Sequence, residues 1–332
     1  MSRRPASWLL GGAGFAVAVA LALIATPARI WEYAHHAAWP GPAVAFAWAL
    51  LTTTARGVRL SLLVGRRTTV DRAVAAATVA QLAVATLPWR LGELALVPAL
   101  RAAGLPGSLR AISVLVVTRV LDLATLLVWG IAAAVLLGAP IGLAPLALLG
   151  LAGAVWLAWR AGGALLARRA GGWRRAPGLR RSLLRQALQA RRELRQAGRS
   201  PGRFGGAVTC SLLAWAGVWG LCVALIRSMG LGWPAGAVLF AVIGASLVAV
   251  LPVNAVGSFG TLEAGWAASL AATGASAGEA LASGFAVHLW SLLFSVLLGG
   301  LAGVWLAVRR STTSASQGRD AATIRRSSDT GA

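Results

Sequence analysis

The 332-residue chain is 58% hydrophobic and 12% charged, a balance that leaves too little polar surface to cover a soluble fold of this size. The formal net charge is +22 and its arginines lie between apolar blocks, where membrane topology explains them better than nucleic-acid binding. These blocks can cross about 30 Å of hydrocarbon as helices and lack the period-two alternation of β-barrel strands. We therefore predict an all-α, polytopic membrane bundle.

The first predicted element is a membrane span from Trp8 to about Ala28, preceded by the basic pair Arg3-Arg4. Its C-terminal end resembles a signal-peptide cleavage site. Because its apolar core is long for a signal peptide, a retained span is preferred. A second span follows at Pro42–Val64.

The third apolar block, Ala73–Arg101, is interrupted by Pro88 and Gly92. The pieces on either side of the interruption are too short to cross a bilayer, so we predict a re-entrant helical hairpin. A block that crosses fully is the alternative. Two long spans follow, at Ala111–Leu137 and Ile141–Trp159.

Residues 160–204 form the main polar segment, which contains 13 Arg and the single acid Glu193. We predict a basic cytoplasmic loop of the transmembrane domain. Its leucines recur at helical spacing, so an interfacial amphipathic helix on an anionic leaflet is a compatible alternative.

The next apolar elements are a span at Phe204–Ile226 and a second interrupted block at Ala235–Ala272. Pro252, Gly257 and Gly260 break this second block, which we predict to be another re-entrant hairpin.

The last span, Ala280–Val308, closes a transmembrane domain predicted for residues 1–310, and the Ser/Thr-rich tail, 311–332, is predicted to be disordered. Six spans and two hairpins place the arginine clusters on one side. We therefore predict a multi-pass protein of the cell membrane with both termini cytoplasmic.

The two interrupted blocks share a spacing. Glu93 is followed eleven residues later by Gly104, and Glu263 is followed eleven residues later by Gly274. The first hairpin would enter the membrane from inside and the second from outside. The two halves would then form an inverted repeat, the build of many transporters.

Three acids lie within apolar blocks: Glu93, Asp122 and Glu263. A charge at bilayer depth costs roughly 2.5–3.5 kcal/mol, so each must be paired, protonated or in a wet cavity. Arg119 can pair with Asp122 across one helical turn, which is a structural alternative to a functional role. Arg90 and Glu93 lie at a helix break, where an anion can bind. A capping role is the structural alternative for this pair and for Glu263.

No Ser/His/Asp set, metal cluster or nucleotide fingerprint is found in the sequence, so we predict no catalytic residue, metal or cofactor. His288 is interpreted as a packed or pore-lining residue of the last span, and Cys210 and Cys222 as packing residues.

Three motifs occur in order: Leu87-Pro88-Trp89-Arg90-Leu91-Gly92-Glu93, Thr118-Arg119-Val120-Leu121-Asp122 and Gly257-Ser258-Phe259-Gly260-Thr261-Leu262-Glu263. Together they resemble the flippase-like family typified by the membrane region of lysylphosphatidylglycerol synthases. That family's pattern is Pro-x-Arg-x-Gly-Glu, Arg-x-x-Asp and Gly-Gly-x-Gly-x-x-Glu. The agreement covers roughly residues 40–308. Ser258 replaces the second Gly of the last motif, and the residues before that motif lack the family's usual Ser-Pro.

The resemblance implies a lipid flippase-like transporter in which Arg90, Glu93, Arg119, Asp122 and Glu263 bind the substrate in a central polar cavity. The expected partners are membrane lipids with charged headgroups: an anionic phosphate suits the arginines, and a zwitterionic or cationic headgroup suits the acids. The soluble aminoacyl-transfer half of those synthases does not follow, so no synthesis of an aminoacylated lipid is expected. The sequence predicts no oligomeric state.

Two other functions are carried as alternatives. One is a non-transporting membrane partner or regulator of an envelope lipid-modifying enzyme. The other is a membrane-embedded transferase that acts on a lipid-linked substrate, with a carboxylate as base.

Overall fold

The computed structural model describes residues 19–65, 68–87, 91–105, 108–138, 188, 200–249 and 256–329. Within these ranges the regular secondary structure is helical, with no strand. The other predicted features lie outside the described residues: the span at 141–159, almost all of the basic segment, most of the first span, Pro88, Arg90 and Pro252.

The helices are numbered in chain order. They are α1 (Pro27–His35), α2 (Gly41–Val64), α3 (Val70–Thr86), α4 (Leu91–Leu94), α5 (Leu96–Ala102), α6 (Ser108–Leu136), α7 (Pro201–Ser228), α8 (Ala235–Val248), α9 (Thr261–Ala271) and α10 (Ala277–Asp329), with a 3₁₀ turn at Val256–Ser258 before α9.

Three described helical segments are long and apolar enough to cross a membrane: Arg110–Leu136, Pro201–Ser228 and Ala277–Arg309. They coincide with three of the predicted spans. Many large apolar side chains on α6 and α10 are exposed, as lipid-facing side chains are; they include Val116, Val120, Leu123, Leu293, Leu297, Leu301 and Val304. The prediction of an all-helical membrane protein is therefore confirmed.

Each interrupted block folds back on itself, because α3 packs against α4 and α5, and α8 packs against α9. The backbones touch at glycines. A Cβ at Gly92 would lie 2.1 Å from the Ala83 carbonyl oxygen, and one at Gly265 would lie 2.5 Å from the Gly244 carbonyl oxygen. Gly92 lies in the first turn of α4 and not at the break itself, and this close packing is the reason a glycine is needed there.

The returning helices end in the same way in both blocks. Gly104 (φ +93°) and Gly274 (φ +95°) have left-handed backbones just past the ends of α5 and α9. The N–H of each glycine donates a hydrogen bond to the carbonyl three residues earlier, at 3.1 Å for Gly104 and 3.0 Å for Gly274. The N–H of the residue that follows donates to the carbonyl five residues before it, at 3.0 Å after Gly104 and 3.2 Å after Gly274. The shared Glu-to-Gly spacing thus corresponds to a shared helix end.

The segment α2–α6 and the segment α7–α10 pack reciprocally. Helix α3 of the first segment packs against α10 of the second, and α8 of the second packs against α6 of the first. At the centre α2 and α7 run antiparallel, because Gly41 faces Ser228, Thr52 faces Gly217 and Leu62 faces Gly206. Two equivalent halves that run in opposite directions are what an inverted repeat produces.

The buried core follows the same division. One cluster joins α2, α3, α5 and α6, with Leu60, Leu100 and Val114 almost fully buried. The larger cluster joins α7–α10 with α1 and the start of α2, and includes Leu225, Leu270 and Phe285. The 3₁₀ turn packs on α3, and the Ser258 hydroxyl lies 3.5 Å from the Val84 carbonyl oxygen near the end of that helix.

One helix end differs from the sequence prediction. A helical stretch over residues 19–24 stops at Ala25, within the predicted first span, and Thr26 has φ +62°. Helix α10 is assigned from Ala277 to Asp329. The disorder expected for residues 311–332 stays a prediction.

Candidate functional site

A cavity of about 280 Å³ lies among α2, α3 and α7–α10. Its walls are largely apolar, with aromatic side chains that include Trp215, Trp266 and Phe294. The polar part of the lining consists of one guanidinium, one amide, one imidazole and several hydroxyls: Arg56, Gln81, His288, Thr52, Thr53, Thr78, Ser246, Ser291 and Ser295.

A second cavity, of about 210 Å³, lies beside the first, between the end of α3 and the 3₁₀ turn. Val84 and Ala85 line it from the first hairpin, Ser258 from the second, and Glu93 supplies a carboxylate. Both cavities are lined by the same side chains on one wall: Gln81, Leu262, His288, Ser291 and Ser295. The two spaces are therefore neighbours across a shared polar wall.

Charged side chains form a network behind the second cavity. The Arg119 Nε lies 3.2 Å from a Glu93 carboxylate oxygen, and its Nη1 lies 3.6 Å from Asp122 Oδ2. Asp122 also forms an ion pair with Arg59 of α2, which donates a further hydrogen bond to the Ser211 hydroxyl at 3.0 Å. Glu93 thus faces the cavity, while Arg119 and Asp122 connect it to α2.

Arg56 lies one helical turn before Arg59 and lines the first cavity. Its guanidinium donates a hydrogen bond to the Gln81 side-chain oxygen of α3, a neutral acceptor. Asp122, Arg59 and Arg119 are all within electrostatic range of it. The cation at this cavity wall is held in place by an amide, so its charge is available to an anion.

Glu263 is almost completely buried, with 1% of its surface exposed, at the third position of α9. Gly260 adopts φ +92° and donates its N–H to Glu263 Oε2 at 2.6 Å, which caps the helix. The other carboxylate oxygen is joined by a hydrogen bond to His288 Nδ1 of α10. The Phe259 ring lies 4.4 Å from the imidazole, centroid to centroid. Glu263 therefore makes the helix cap that the sequence offered as the structural alternative to substrate binding.

The two halves carry equivalent acid–base pairs. Glu93 and Glu263 are each the third residue of the helix that follows a break. Each pairs with a base on the next long helix: Arg119 lies 26 residues after Glu93, and His288 lies 25 residues after Glu263. The first base is permanently charged, whereas the second can gain or lose a proton.

The structure brings Glu93, Arg119 and Asp122 into one network and places Glu263 in a separate pair. Of these four, Glu93 lines the second cavity, whereas Arg119, Asp122 and Glu263 are not among the lining residues of either cavity, and the Arg119 side chain is 43% exposed. The predicted contact between Arg119 and Asp122 is present, but Asp122 also pairs with Arg59. Within the described part of the chain, no group of three His, Cys, Asp or Glu side chains is placed to hold a metal ion.

Sequence reasoning missed four contributors: Arg56, Arg59, Gln81 and the pairing of His288 with Glu263. Arg56 and Arg59 lie near the C-terminal end of the second predicted span, where arginines are typical of a cytoplasmic flank. Their position inside α2, eight and five residues before its end, was the signal that they face the protein interior. The pairing of His288 left no signal, because its partner is 25 residues away on another helix.

These features define an integral membrane protein with two adjoining cavities whose largely apolar lining contains a few charged and polar side chains. The family model described as the lysylphosphatidylglycerol synthase TM region matches residues 8–299, and the chain belongs to this family. The resemblance carried by the three motifs is thereby confirmed. Neither the curated proteins nor the solved structures give a significant match.

Proposed function

We propose that this protein is a lipid flippase-like transporter that moves a phospholipid or a lipid-linked headgroup between the leaflets of the cytoplasmic membrane. The observation that carries the proposal is the pair of adjoining cavities whose largely apolar lining contains the ionisable side chains Arg56, Glu93 and His288. Charged groups within a membrane are expensive and are retained where a polar substrate must pass. Membership of the family is compatible with this activity.

The cavity volumes favour a headgroup over a whole lipid as the cavity's occupant. At about 280 and 210 Å³ the spaces fall just below the range of about 300–1,000 Å³ typical of sites for small ligands. A polar headgroup suits such a space, whereas two acyl chains would remain outside in lipid. The exposed apolar surfaces of α6 and α10 suit those chains.

We assign different roles to the site residues. Arg56, Glu93 and His288 line the cavities and contact the headgroup, and Arg90 of the first motif keeps its proposed role in substrate binding. Arg119, Asp122 and Glu263 act through these residues by holding their charges in position. Among the described residues of the site, the carboxylates pair with Arg59, Arg119 and His288, while Arg56 is hydrogen-bonded to the Gln81 amide.

The proposed topology has six full spans and two re-entrant hairpins, with both termini and the basic segment in the cytoplasm. The antiparallel arrangement of α2 and α7 supports halves of opposite orientation. Alternating access follows from such halves, because an exchange of their conformations moves the opening from one leaflet to the other.

The test is leaflet exchange of labelled lipids in liposomes that contain the purified protein. We expect Glu93→Gln to slow exchange at least tenfold, because it removes the cavity carboxylate and leaves Arg119 with one acidic partner. Glu32→Gln is the matched control, since Glu32 is an exposed acid on α1. Arg56→Gln is expected to slow anionic lipids more than zwitterionic ones.

Two results would count against the proposal. Wild-type protein that exchanges no lipid above empty liposomes, while loss of the protein impairs a lipid-modifying enzyme in cells, supports the regulator instead. A Glu93→Gln variant that folds and exchanges lipid as fast as wild type removes this cavity from the transport path.

A further inference from the structure

The Glu263–His288 pair differs from its counterpart in one chemical respect. Arginine stays protonated at every physiological pH, so the Glu93–Arg119 pair keeps a constant charge. Histidine is the side chain that ordinarily changes its charge between about pH 5 and 8. The second half of the molecule therefore holds, at the equivalent position, an acid–base pair whose charge depends on proton binding.

We propose that the Glu263–His288 pair is a proton-binding site that couples binding of an anionic, phosphate-bearing headgroup to the uptake of one proton. The inference rests on the proposed transport function and adds to it an ion and a headgroup class. The proton adds to a ring nitrogen of His288 and leaves from the same atom, and no covalent bond to the substrate forms.

The geometry connects a buried charge with both cavities. A helix cap alone would need only the Gly260 N–H and one oxygen of Glu263. The second oxygen is bonded to His288, whose ring lines both cavities. A proton that reaches either cavity from water can reach this ring, while Glu263 itself stays shielded at 1% exposure.

The charged and titratable groups around His288 come from several helices. Glu263 of α9 is hydrogen-bonded to the imidazole ring. Glu93 of α4 lines the second cavity together with His288. Arg56 of α2 and Cys222 of α7 line the first cavity together with His288. The lining residues from α3 and α8 are uncharged. Helix α1 packs on α10, where the Trp290 indole N–H donates a hydrogen bond to the Ala34 carbonyl. Tyr33 of α1 interacts electrostatically with Arg29, Glu32 and Glu279. Glu279 lies nine residues before His288 in the chain. Its His35 and His36 are exposed.

Protonation changes the balance of the site in a definite direction. A proton on His288 adds one positive charge to the wall that both cavities share. An added positive charge in a cavity that also has Arg56 on its wall favours a phosphate. By linkage, an anion that binds more tightly to the protonated form must also increase proton binding by the same factor. A proton gradient can then drive the headgroup in one direction, which suits a sequence that contains no ATP-binding motif.

The first measurement follows the ring directly. The chain contains three His, so the double variant His35→Gln/His36→Gln leaves His288 as its single imidazole. With ring-labelled histidine, a tag free of histidine and the full chain in nanodiscs, the ring signal is followed between about pH 5 and 8.5. We expect it to report proton binding. A ring signal that stays constant over this range overturns the proposal.

The second measurement uses dimethyl phosphate, a phosphodiester whose own charge does not change in this range. We expect its affinity to fall about 5-fold or more between pH 5.5 and 8.5 in wild type, within the usual size of site-to-site coupling. His288→Arg, which reproduces the pair of the first half, should bind the anion equally well at both pH values. His288→Gln should bind it weakly at both. The same pH dependence in wild type and His288→Gln overturns the proposal.

The third measurement separates this proposal from the transport function. Leaflet exchange of an anionic lipid is compared with and without an imposed pH gradient, and the His35→Gln/His36→Gln variant serves as control. Exchange driven by the gradient in wild type and not in His288→Gln supports the coupling. Exchange that ignores the gradient overturns the coupling and leaves the transporter intact. A titrating His288 with pH-dependent anion binding, but no lipid exchange, supports the proton site and contradicts the transport function.

Discussion

The ion pair between Arg59 and Asp122 gives the sharpest test of how the site is held together. Arg59 is 5% exposed and the Asp122 side chain 18% exposed, so both charges are sheltered from water. Loss of one partner from a buried pair typically costs about 3–5 kcal/mol, because the other charge stays buried without compensation. Replacement of both partners by apolar residues of similar size is often nearly neutral.

The structure predicts an asymmetry between the two single variants. Asp122→Leu leaves Arg59 without its carboxylate and should lower the free energy of unfolding by about 3–5 kcal/mol, roughly two to four orders of magnitude in the equilibrium constant. Arg59→Met should cost less, because Asp122 keeps Arg119 at 3.6 Å. The double variant should recover most of the loss, which gives a coupling energy of several kcal/mol between the two sites.

The assay is unfolding by SDS in mixed micelles, followed by the fluorescence of the 15 Trp. Glu32→Leu, an exposed acid, should stay within about 0.5 kcal/mol of wild type. Additive losses in the double variant, or a cost below about 1 kcal/mol for Asp122→Leu, would refute the reasoning. Lipid exchange by the double variant adds a second result: stability without transport would show that the pair also serves the substrate.

Three further predictions concern packing, backbone conformation and topology. In the same unfolding assay, Gly92→Ala should destabilise the protein by at least about 1–3 kcal/mol, because its Cβ would lie 2.1 Å from a backbone oxygen. Gly130→Ala is the control: Gly130 has open space around it, so this variant should be neutral or stabilising. Ser258→Gly should stabilise by about 1 kcal/mol in a chemical unfolding curve, because Ser258 adopts φ +60° where glycine is unstrained, and equal or lower stability would argue against that strain. A cysteine at Arg101, in a chain without its two native Cys, should react with an impermeant maleimide from the cytoplasmic side only; labelling from outside alone would rule out the re-entrant hairpin.

Much of the candidate site could be predicted from local sequence. Two contacts of the site join residues that are three apart: the ion pair of Arg119 with Asp122, and the cap formed by Gly260 and Glu263. Helical geometry alone brings such residues together. The helix ends at Gly104 and Gly274 follow in the same way from glycine's freedom at positive φ. The apolar blocks determined where the long helices lie.

Only the tertiary structure decided which side chains meet across helices. Arg59 and Asp122 are 63 residues apart, and Ser258 and Val84 are 174 apart. The first contact depends on how α2 packs against α6, and the second on how the two halves pack together; spacing along the chain specifies neither. A charged residue in an apolar block needs a partner, because an unpaired charge there is costly. Which partner it takes, as with Glu263 and His288, is determined by the packing of the helices around it.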